Sequence, residues 1–305
     1  GLDTSGLGFN DATLGSLSQI KGRLMAWQPT PTPGLLSDSN APLFDSLTFD
    51  NNSTPAQPWN TFIAGSVVLA DINANGNVPD SNYTTGAVTA GADYRINKNW
   101  TVGALFGYSL IDSSLDNEGS TATIDSYTSG ICSSYADKGG YANVLFDYTY
   151  NGYTETRNII FPGVNRTATS SPPGNQYNAD LAGGYEFHLG HWTLGPSAGL
   201  DYVHLDIHSF AENGAGSANL SVREQTADSL RSRLGLETSY KTKYDKTDFG
   251  YHLGAYWQHE FMGNSTDITS SFQVPTSTAF TVYGPNPDRN TLLLDAGGDI
   301  QVLRN

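Results

Sequence analysis

The chain has 305 residues and a formal net charge of −15, and 38% of its residues are hydrophobic while only 15% are charged. An acidic chain without a basic stripe repels phosphate, so we expect no nucleic-acid partner, and 17 Tyr with 13 Phe argue against intrinsic disorder. No apolar run reaches the ~20 residues of a membrane helix, so a bilayer could be spanned only by a closed barrel, and the one cysteine, Cys132, excludes an internal disulfide framework.

Residues 1–58 differ in pattern from the rest of the chain. Asn10 and Asp11 can cap a short helix over Asp11–Gln28, whose apolar residues recur at roughly helical spacing. The Pro-rich run Pro29–Gly34 ends that helix and forms a stiff linker. Two interpretations stay open: a solvent-exposed linker, and a segment that lies in or near a pore.

From Trp59 onward the chain reads as a succession of β-strands. The predicted strands are 59–71, 83–96, 100–112, 122–136, 140–155, 176–189, 192–209, 228–241, 248–262 and 290–303. In the hairpin Gln176–Phe210, apolar and polar residues alternate, and Gly190-His191 leaves room only for a tight turn. Each of its strands has about 10 residues or more, with aromatic residues at both ends of the apolar face, which is typical of an outer-membrane barrel.

The connections between the predicted strands alternate in length. The short ones are Asn97–Asn99, Asp137–Gly139, Gly190-His191 and Thr242–Thr247, and the long ones are Asn73–Asn82, Ser113–Thr121, Thr156–Asn175, Phe210–Ala227 and Gly263–Arg289. Bacterial outer-membrane barrels have short periplasmic turns and longer extracellular loops. The alternation therefore favours a transmembrane barrel, with the long loops outside the cell, over a soluble sandwich.

The strand pattern also predicts which residues face the pore and which face lipid. Arg or Lys in lipid would cost roughly 2–4 kcal/mol at mid-depth, so charged residues should face inward. The charged residues predicted to face the lumen are Asp93, Arg95, Asp147, Asp180, Glu186, Arg231, Arg233, Glu237, Glu260 and Asp295. The predicted aromatic girdle is Trp100, Trp192, Trp257, Tyr94, Tyr185 and Tyr202. The residues predicted to face lipid are Val102, Phe106, Val144, Phe146, Leu181, Leu200, Leu234 and Leu253.

The sequence holds little that indicates catalysis. His204, Asp206 and His208 fall on one face of a strand and are metal-competent, but polar residues are expected near a loop mouth. Glu186 with Arg231 and Arg233 could form a charge cluster in the lumen, and simple solvation of the wall is the preferred interpretation. No nucleophile elbow, zinc-protease motif or phosphate loop occurs, so we expect no catalytic residue, metal or cofactor.

Several short motifs, in order along the chain, resemble the translocator β-domain of autotransporters. They are Gly199-Leu-Asp-Tyr-Val-His-Leu, Phe210-Ala-Glu-Asn-Gly-Ala-Gly, Asn219-Leu-Ser-Val, Asp228-Ser-Leu-Arg-Ser-Arg-Leu-Gly and Trp257-Gln-His-Glu-Phe. The resemblance covers about Trp59 to Arg304. It implies an all-β, antiparallel, up-and-down barrel of a 12-stranded family, with about ten of the strands in this chain.

The resemblance also implies a function and a division of the chain. Residues 1–58 would be a linker with a short helix and a possible pore segment, and residues 59–305 an outer-membrane barrel that exports and anchors an N-terminal passenger. Implied partners are outer-membrane lipid, the passenger and the barrel-assembly machinery. Some members cleave their passenger at an Asn-Asn pair, but Asn51-Asn52 precedes Ser-Thr-Pro and is interpreted as linker.

Two other functions are open to a chain with this pattern, and its length leads to one further expectation. A general porin or solute channel would share the alternation, the girdles and the loop sorting. An outer-membrane enzyme would need a His–carboxylate pair at the loop mouths. We expect the native gene to start before Gly1 and to continue for roughly 25–30 residues after Asn305, with the first and tenth strands not fully paired.

Overall fold

The computed structural model describes residues 58–72, 81–115, 120–244, 247–262, 267–283 and 289–302. The predicted helix Asp11–Gln28, the Pro-rich linker and Asn51-Asn52 lie outside these residues. Within the described ranges, no helix has the length and apolarity needed to cross a membrane.

The described chain is almost entirely β-strand. The strands are β1 (Trp59–Ile72), β2 (Ser81–Arg95), β3 (Trp100–Leu115), β4 (Thr121–Asp137), β5 (Gly140–Phe161), β6 (Val164–Ser170), β7 (Pro173–Tyr185), β8 (Phe187–Leu189), β9 (Trp192–Ile207), β10 (Phe210–Ala211), β11 (Leu220–Val222), β12 (Gln225–Tyr244), β13 (Thr247–Glu260), β14 (Asp267–Phe272), β15 (Phe280–Tyr283) and β16 (Asn290–Val302). One short 3₁₀ helix, Gly216–Ala218, precedes β11. Alternating β-branched, aromatic and small residues favour strands of this kind.

Ten long strands form one antiparallel meander in the order β1-β2-β3-β4-β5-β7-β9-β12-β13-β16. Every neighbouring pair is antiparallel, which confirms the predicted all-β, up-and-down fold class. Among the described residues no ladder joins β1 to β16, so the sheet is open between these two strands.

Because the sheet is a meander, successive connections lie at opposite ends. The turns that follow β2, β4, β8 and β12 are short and define the turn end. The connections that follow β1, β3, β5, β9 and β13 are longer and define the loop end. The predicted sorting of connections by length is therefore present in the structure.

Three predicted loops contain strands that the sequence analysis missed. The connection Thr156–Asn175 was wrongly assigned as a loop: β5 continues to Phe161, and β6 pairs back onto it. Pro162-Gly163 makes the turn, with Gly163 at φ 86° as the second central residue of a type II turn requires. The connections Phe210–Ala227 and Gly263–Arg289 contribute a second sheet, ordered β10-β11-β14-β15.

Apolar residues are buried in three clusters. One lies on the inner wall near the loop end, a second lies on the inner wall around Cys132, and a third is the core of the second sheet. Their members are Ile111, Ile124, Tyr153, Leu205 and Ile207; Phe62, Leu105, Cys132 and Leu145; and Leu220, Val222 and Ile268. The second sheet therefore has a core of its own.

Candidate functional site: the two faces of the barrel and its loop end

Alternation along the strands separates a buried inner face from an exposed outer face. On β5, Asn143, Leu145 and Asp147 are buried, whereas Phe146 and Tyr148 between and beyond them are exposed. The inner face of the whole sheet is rich in small polar residues. Its buried members include Thr85, Thr89, Thr101, Ser126, Ser134, Asn143, Thr149, Asn151, Gln176, Asn178, Asp201, Ser229 and Ser239.

The structure places the charged residues that were predicted to face the lumen as follows. Asp93, Asp147, Asp180 and Glu260 are buried, and Arg95, Glu186, Arg231, Arg233 and Glu237 are partly buried. Asp295 lies on β16. The carboxylates and guanidinium groups of the other nine are on the same face as the small polar residues, and their contact with a water-filled pore stays a prediction.

Hydrogen-bond donors surround the buried carboxylate of Asp147. Asn178 donates its side-chain N–H to Asp147 Oδ1, and Gln176 Nε2 in turn donates to Asn178 Oδ1 at 3.0 Å. Thr149 adds a weaker contact at 3.5 Å. A buried carboxylate is tolerated when such donors replace its water, so these three side chains stabilise the charge inside the wall.

Four hydrogen bonds hold the Glu260 carboxylate on the inner face. Its oxygens accept hydrogen bonds from Ser229 Oγ at 2.6 Å and from Arg231 Nε at 3.0 Å. The backbone N–H groups of Leu230 and Met262 each donate to it at 3.0 Å. This network joins the loop-end portions of β12 and β13.

The suggested cluster of Glu186 with Arg231 and Arg233 takes a different form in the structure. Arg231 pairs with Glu260, and the guanidinium of Arg233 lies over the Tyr256 ring at 5.9 Å from its centroid. Glu186 lies 3.8 Å from His188 Nε2. The pairing partners differ because Glu260 is directly opposite Arg231 in the β12–β13 register.

Two inner-face aromatic rings lie across glycines, Gly235 and Gly91 on a neighbouring strand and Gly254 two residues before the ring on its own strand. A Cβ atom at Gly235 would overlap the Tyr256 ring, and one at Gly254 would lie 2.9 Å from it. Likewise a Cβ at Gly91 would lie 2.5 Å from the Phe62 ring. The sequence analysis missed these contacts, because the strand register decides which ring lies across which glycine.

The aromatic residues predicted for the girdle are all exposed on the outer face. Tyr94, Trp100, Tyr185 and Trp192 lie at the turn end, and Tyr202 and Trp257 lie toward the loop end. The structure adds outer-face aromatics beyond those predicted for the girdle. They are Trp59, Tyr135 and Phe187 at the turn end, and Tyr108, Tyr127, Tyr148 and Tyr177 toward the loop end.

An apolar band separates the two aromatic layers. Phe106 is 68% exposed, Leu253 59% and Leu181 51%, although they are apolar. Trp100 and Tyr108 mark the two layers on β3 and are eight positions apart. At about 3.3 Å per residue and a tilt of roughly 40°, the layers are roughly 20 Å apart in height, which is close to the ~25 Å band of known barrels.

The candidate metal ligands do not converge. His204, Asp206 and His208 do share the outward side of β9, because Val203, Leu205 and Ile207 between them are buried. His204 Nδ1 lies 2.9 Å from Asp228 Oδ1 and His208 Nε2 lies 3.2 Å from Asn175 Nδ2. No group of three metal-ligating side chains is present among the described residues.

Glu212 connects three segments at the loop end. Its carboxylate accepts both nitrogen donors of Arg157, with Nε at 2.8 Å, and the backbone N–H of Leu220 at 2.7 Å. Arg157 Nη2 also donates to Ala218 O at 3.0 Å, and Gln273 Nε2 donates to the Glu212 carbonyl at 2.9 Å. We call these contacts the Glu212 latch. They hold the β5–β6 hairpin, the β9–β12 connection and the β13–β16 connection together.

Further contacts attach the β5–β6 hairpin to the same place. The backbones of Thr169 and Asn213 exchange two hydrogen bonds of 2.8 and 2.9 Å. Arg166 Nη1 donates to Ala215 O at 2.8 Å and to Ser217 Oγ at 3.2 Å. The loop end is therefore an ordered structure with bidentate, sheet and side-chain contacts.

Glu155 is an acidic group in this loop-end structure, beyond the membrane-spanning part of β5. Burial raises the pKa of Glu155, the hydrogen bond from Ser170 Oγ at 2.9 Å partly lowers it, and the nearby charge of Glu212 raises it again. The net effect is a raised pKa, so the folded loop end favours the protonated form of Glu155.

Comparison with known proteins gives one family and several relatives. The model of the Autotransporter beta-domain family matches residues 62–305. Esterase EstA of Pseudomonas aeruginosa is 22% identical over 233 residues, which cover 75% of this chain and 36% of that protein. An Esterase EstA of Pseudomonas putida gives the same values. The chain thus matches about a third of the length of these curated relatives.

Solved structures show the same fold. The translocator domain of autotransporter NalP from Neisseria meningitidis superposes with a TM-score of 0.59 at 18% identity, covering 95% of this chain and 96% of that one. The β-domain of the Bordetella autotransporter BrkA gives a TM-score of 0.54 at 16% identity, covering 81% of this chain and 99% of that one.

Proposed function

The chain belongs to the autotransporter β-domain family, and from this membership we propose that its barrel exports an N-terminal passenger with esterase activity to the cell surface. The barrel is an outer-membrane translocator domain, a fold that is generally non-enzymatic, and the porin alternative is not favoured. Its proposed partners are outer-membrane lipid, the passenger and the barrel-assembly machinery.

The observation that carries the proposal is the coverage of the curated relatives. Two proteins named esterases align with this barrel over only 36% of their length. An ester-cleaving centre therefore belongs, in this proposal, to the passenger.

The test is ester hydrolysis by intact cells that express the full-length gene product. Cells should hydrolyse a short-chain nitrophenyl ester before lysis, and a protease added outside should remove the activity. A tag at the passenger's N-terminus reports display separately. Display without hydrolysis would refute the esterase assignment alone, and a tag accessible only after lysis would refute export.

The orientation of the barrel is part of the proposal, with the loop end outside the cell. The exposed turn Pro162-Gly163 and the β13–β16 connection should then be cleaved by protease on whole cells. Lys98 and Lys138, at the turn end, should be cleaved only after the outer membrane is permeabilised. The reverse pattern would overturn the orientation.

We also propose that residues 1–58 lie in or near the pore. The inner wall supports this, because many of its side chains are small and polar, as at Thr89, Ser126 and Ser239. A polar chain segment or water can hydrogen-bond to such a wall. In planar bilayers the purified chain should conduct poorly, and removal of residues 1–58 should raise the conductance. Equal conductance of both forms would refute this proposal.

A further inference from the structure

A hydrogen-bonded pair of the same kind recurs at four boundaries between strands. In each pair an aromatic N–H or O–H on one strand donates to an Asp or Asn oxygen on the next. The pairs are Tyr108 to Asp125 at 2.6 Å, Tyr148 to Asn175 at 2.7 Å, Tyr202 to Asp228 at 2.7 Å, and Trp257 to Asn290 at 3.1 Å. We call these residues the loop-end belt.

The four pairs share one geometry. Tyr108 is opposite Tyr127, and Asp125 is opposite Leu110, so the donor reaches diagonally to the residue two positions nearer the loop end. The same offset applies at β5–β7, β9–β12 and β13–β16. All four boundaries are those joined by a long connection. Because the same diagonal contact occurs at four boundaries, it is a regular feature of the sheet and not a set of unrelated surface hydrogen bonds.

The belt lies on the outer face, where the apolar band ends at the loop end. Its rings are exposed: Tyr108 and Tyr148 are each 37% exposed, and Trp257 is 47% exposed. The fold belongs to outer-membrane proteins, so this height corresponds to the headgroup layer of one leaflet. The belt therefore faces headgroups rather than acyl chains or bulk water.

The belt offers a ligand hydrogen-bond acceptors rather than positive charges. The Tyr and Trp donors are already used, while the Asp and Asn oxygens keep acceptor capacity. His204 and His259 contact two of the same oxygens at 2.9 Å. Among the described outer-face positions at the height of the belt, none is Lys or Arg. Bare phosphate, which has acceptors and negative charge, would be repelled.

We propose that the loop-end belt is a binding surface for sugar headgroups of glycolipids. Sugar hydroxyls can donate to the acceptor capacity that the Asp and Asn oxygens keep beside their Tyr and Trp partners, and hydrogen bonds to carboxylates are the stronger kind. The carbon faces of a sugar ring pack on exposed Tyr and Trp rings, which are apolar bodies with a polar tip. The repeat at four boundaries would bind several headgroups around the barrel at one height.

The test compares the thermal unfolding midpoint of the full chain in vesicles with matched acyl chains. The vesicles contain phosphatidylcholine alone, phosphatidylcholine with a neutral diglycosyl diacylglycerol, or phosphatidylcholine with phosphatidylglycerol. The glycolipid should raise the midpoint and phosphatidylglycerol should not. Combined Asp125→Ala and Asp228→Ala removes two of the four pairs and should reduce the rise, while Asp267→Ala, at an exposed carboxylate of the second sheet, should retain it in full.

In the unaltered chain, no rise with glycolipid or an equal rise with phosphatidylglycerol would overturn the proposal. A full rise in the double variant would also overturn it. If that variant does not fold, combined Asn175→Ala and Asn290→Ala makes the same comparison without a charge change. Spin-labelled glycolipid, measured by its immobilised fraction, reports binding independently of stability.

Discussion

Replacement of Arg157 by Ala should open the loop end without unfolding the barrel. The variant leaves the Glu212 carboxylate with Leu220 N–H as its remaining donor in the latch. It also removes the donor to Ala218 O. The β5–β6 hairpin would still keep its contacts with the β9–β12 connection through Thr169 and Arg166.

The magnitude follows from the burial of the two partners. The side chain of Glu212 is 5% exposed and that of Arg157 is 22% exposed. Removing one partner of a buried pair costs about 3–5 kcal/mol, because the other charge stays buried without compensation. Since Arg157 is partly in water, we expect the lower end, about 3 kcal/mol, which corresponds to roughly a hundredfold change in the opening equilibrium.

Native-state hydrogen exchange measures this opening locally. The amides of Leu220 and Asn213 should exchange roughly a hundredfold faster in Arg157→Ala, while amides in the middle of β3–β4 keep their rates. Arg166→Ala is the matched control, because Arg166 donates to a carbonyl and a hydroxyl, and its loss should cost only about 1 kcal/mol. Unchanged exchange at Leu220 would show that the latch does not hold the loops.

Three further outcomes are expected. Gly235→Ala should destabilise the barrel by about 1–3 kcal/mol, because the added Cβ overlaps the Tyr256 ring. Gly86→Ala is the control, since no atom lies near the Cβ added there. Equal chemical-unfolding midpoints of the two variants would contradict this. Glu155→Gln should slow hydrogen exchange of the loop end at neutral pH and have no effect in acid. The pKa of Glu155 is raised in the folded protein, so its contribution to stability is present below the ordinary pKa and is lost as the pH rises through the folded value. An effect that does not depend on pH would refute this cause. A spin label at Phe106 should report hydrocarbon in vesicles, and aqueous accessibility there would refute the lipid-facing assignment.

The fold could be predicted because each strand carries its own evidence. In the hairpin built from β7 and β9, alternation, the tight Gly190-His191 turn and the terminal aromatics all agree. The alternation of short and long connections then indicated that consecutive strands are neighbours, since an antiparallel meander places alternate connections at opposite ends. Strand ends were off by a few residues where strands extend past the membrane, as in β5.

The second sheet could not be predicted for a physical reason. Its strands are short: β10 has two residues and β11 has three. Such lengths show no periodicity, and their partners are distant, since Leu220 pairs with Phe272. The Glu212 latch depends on the same distant pairing. The motif around Phe210 and Glu212 marked this region only through the family resemblance.

The pairs of the loop-end belt were missed because they depend on register. Tyr202 was assigned to a girdle, but its acceptor Asp228 lies on another strand, 26 positions away. Alternation places both residues on the outer face and does not say which residues are opposite each other. Cross-strand neighbours need the ladder, and the ladder needs the structure.

A change of face along β9 shows where the surroundings of the wall change. Leu200 is 43% exposed on the outer face, whereas Leu205 and Ile207, farther toward the loop end, are buried on the inner one. Apolar residues face outward where acyl chains are the solvent, and they face inward once water replaces lipid outside. Tyr202, between the two, belongs to the belt. The position where the apolar residues of β9 change face therefore indicates the membrane boundary. Beyond that boundary the loop end resembles a water-soluble protein, because it has an apolar core and a buried ion pair.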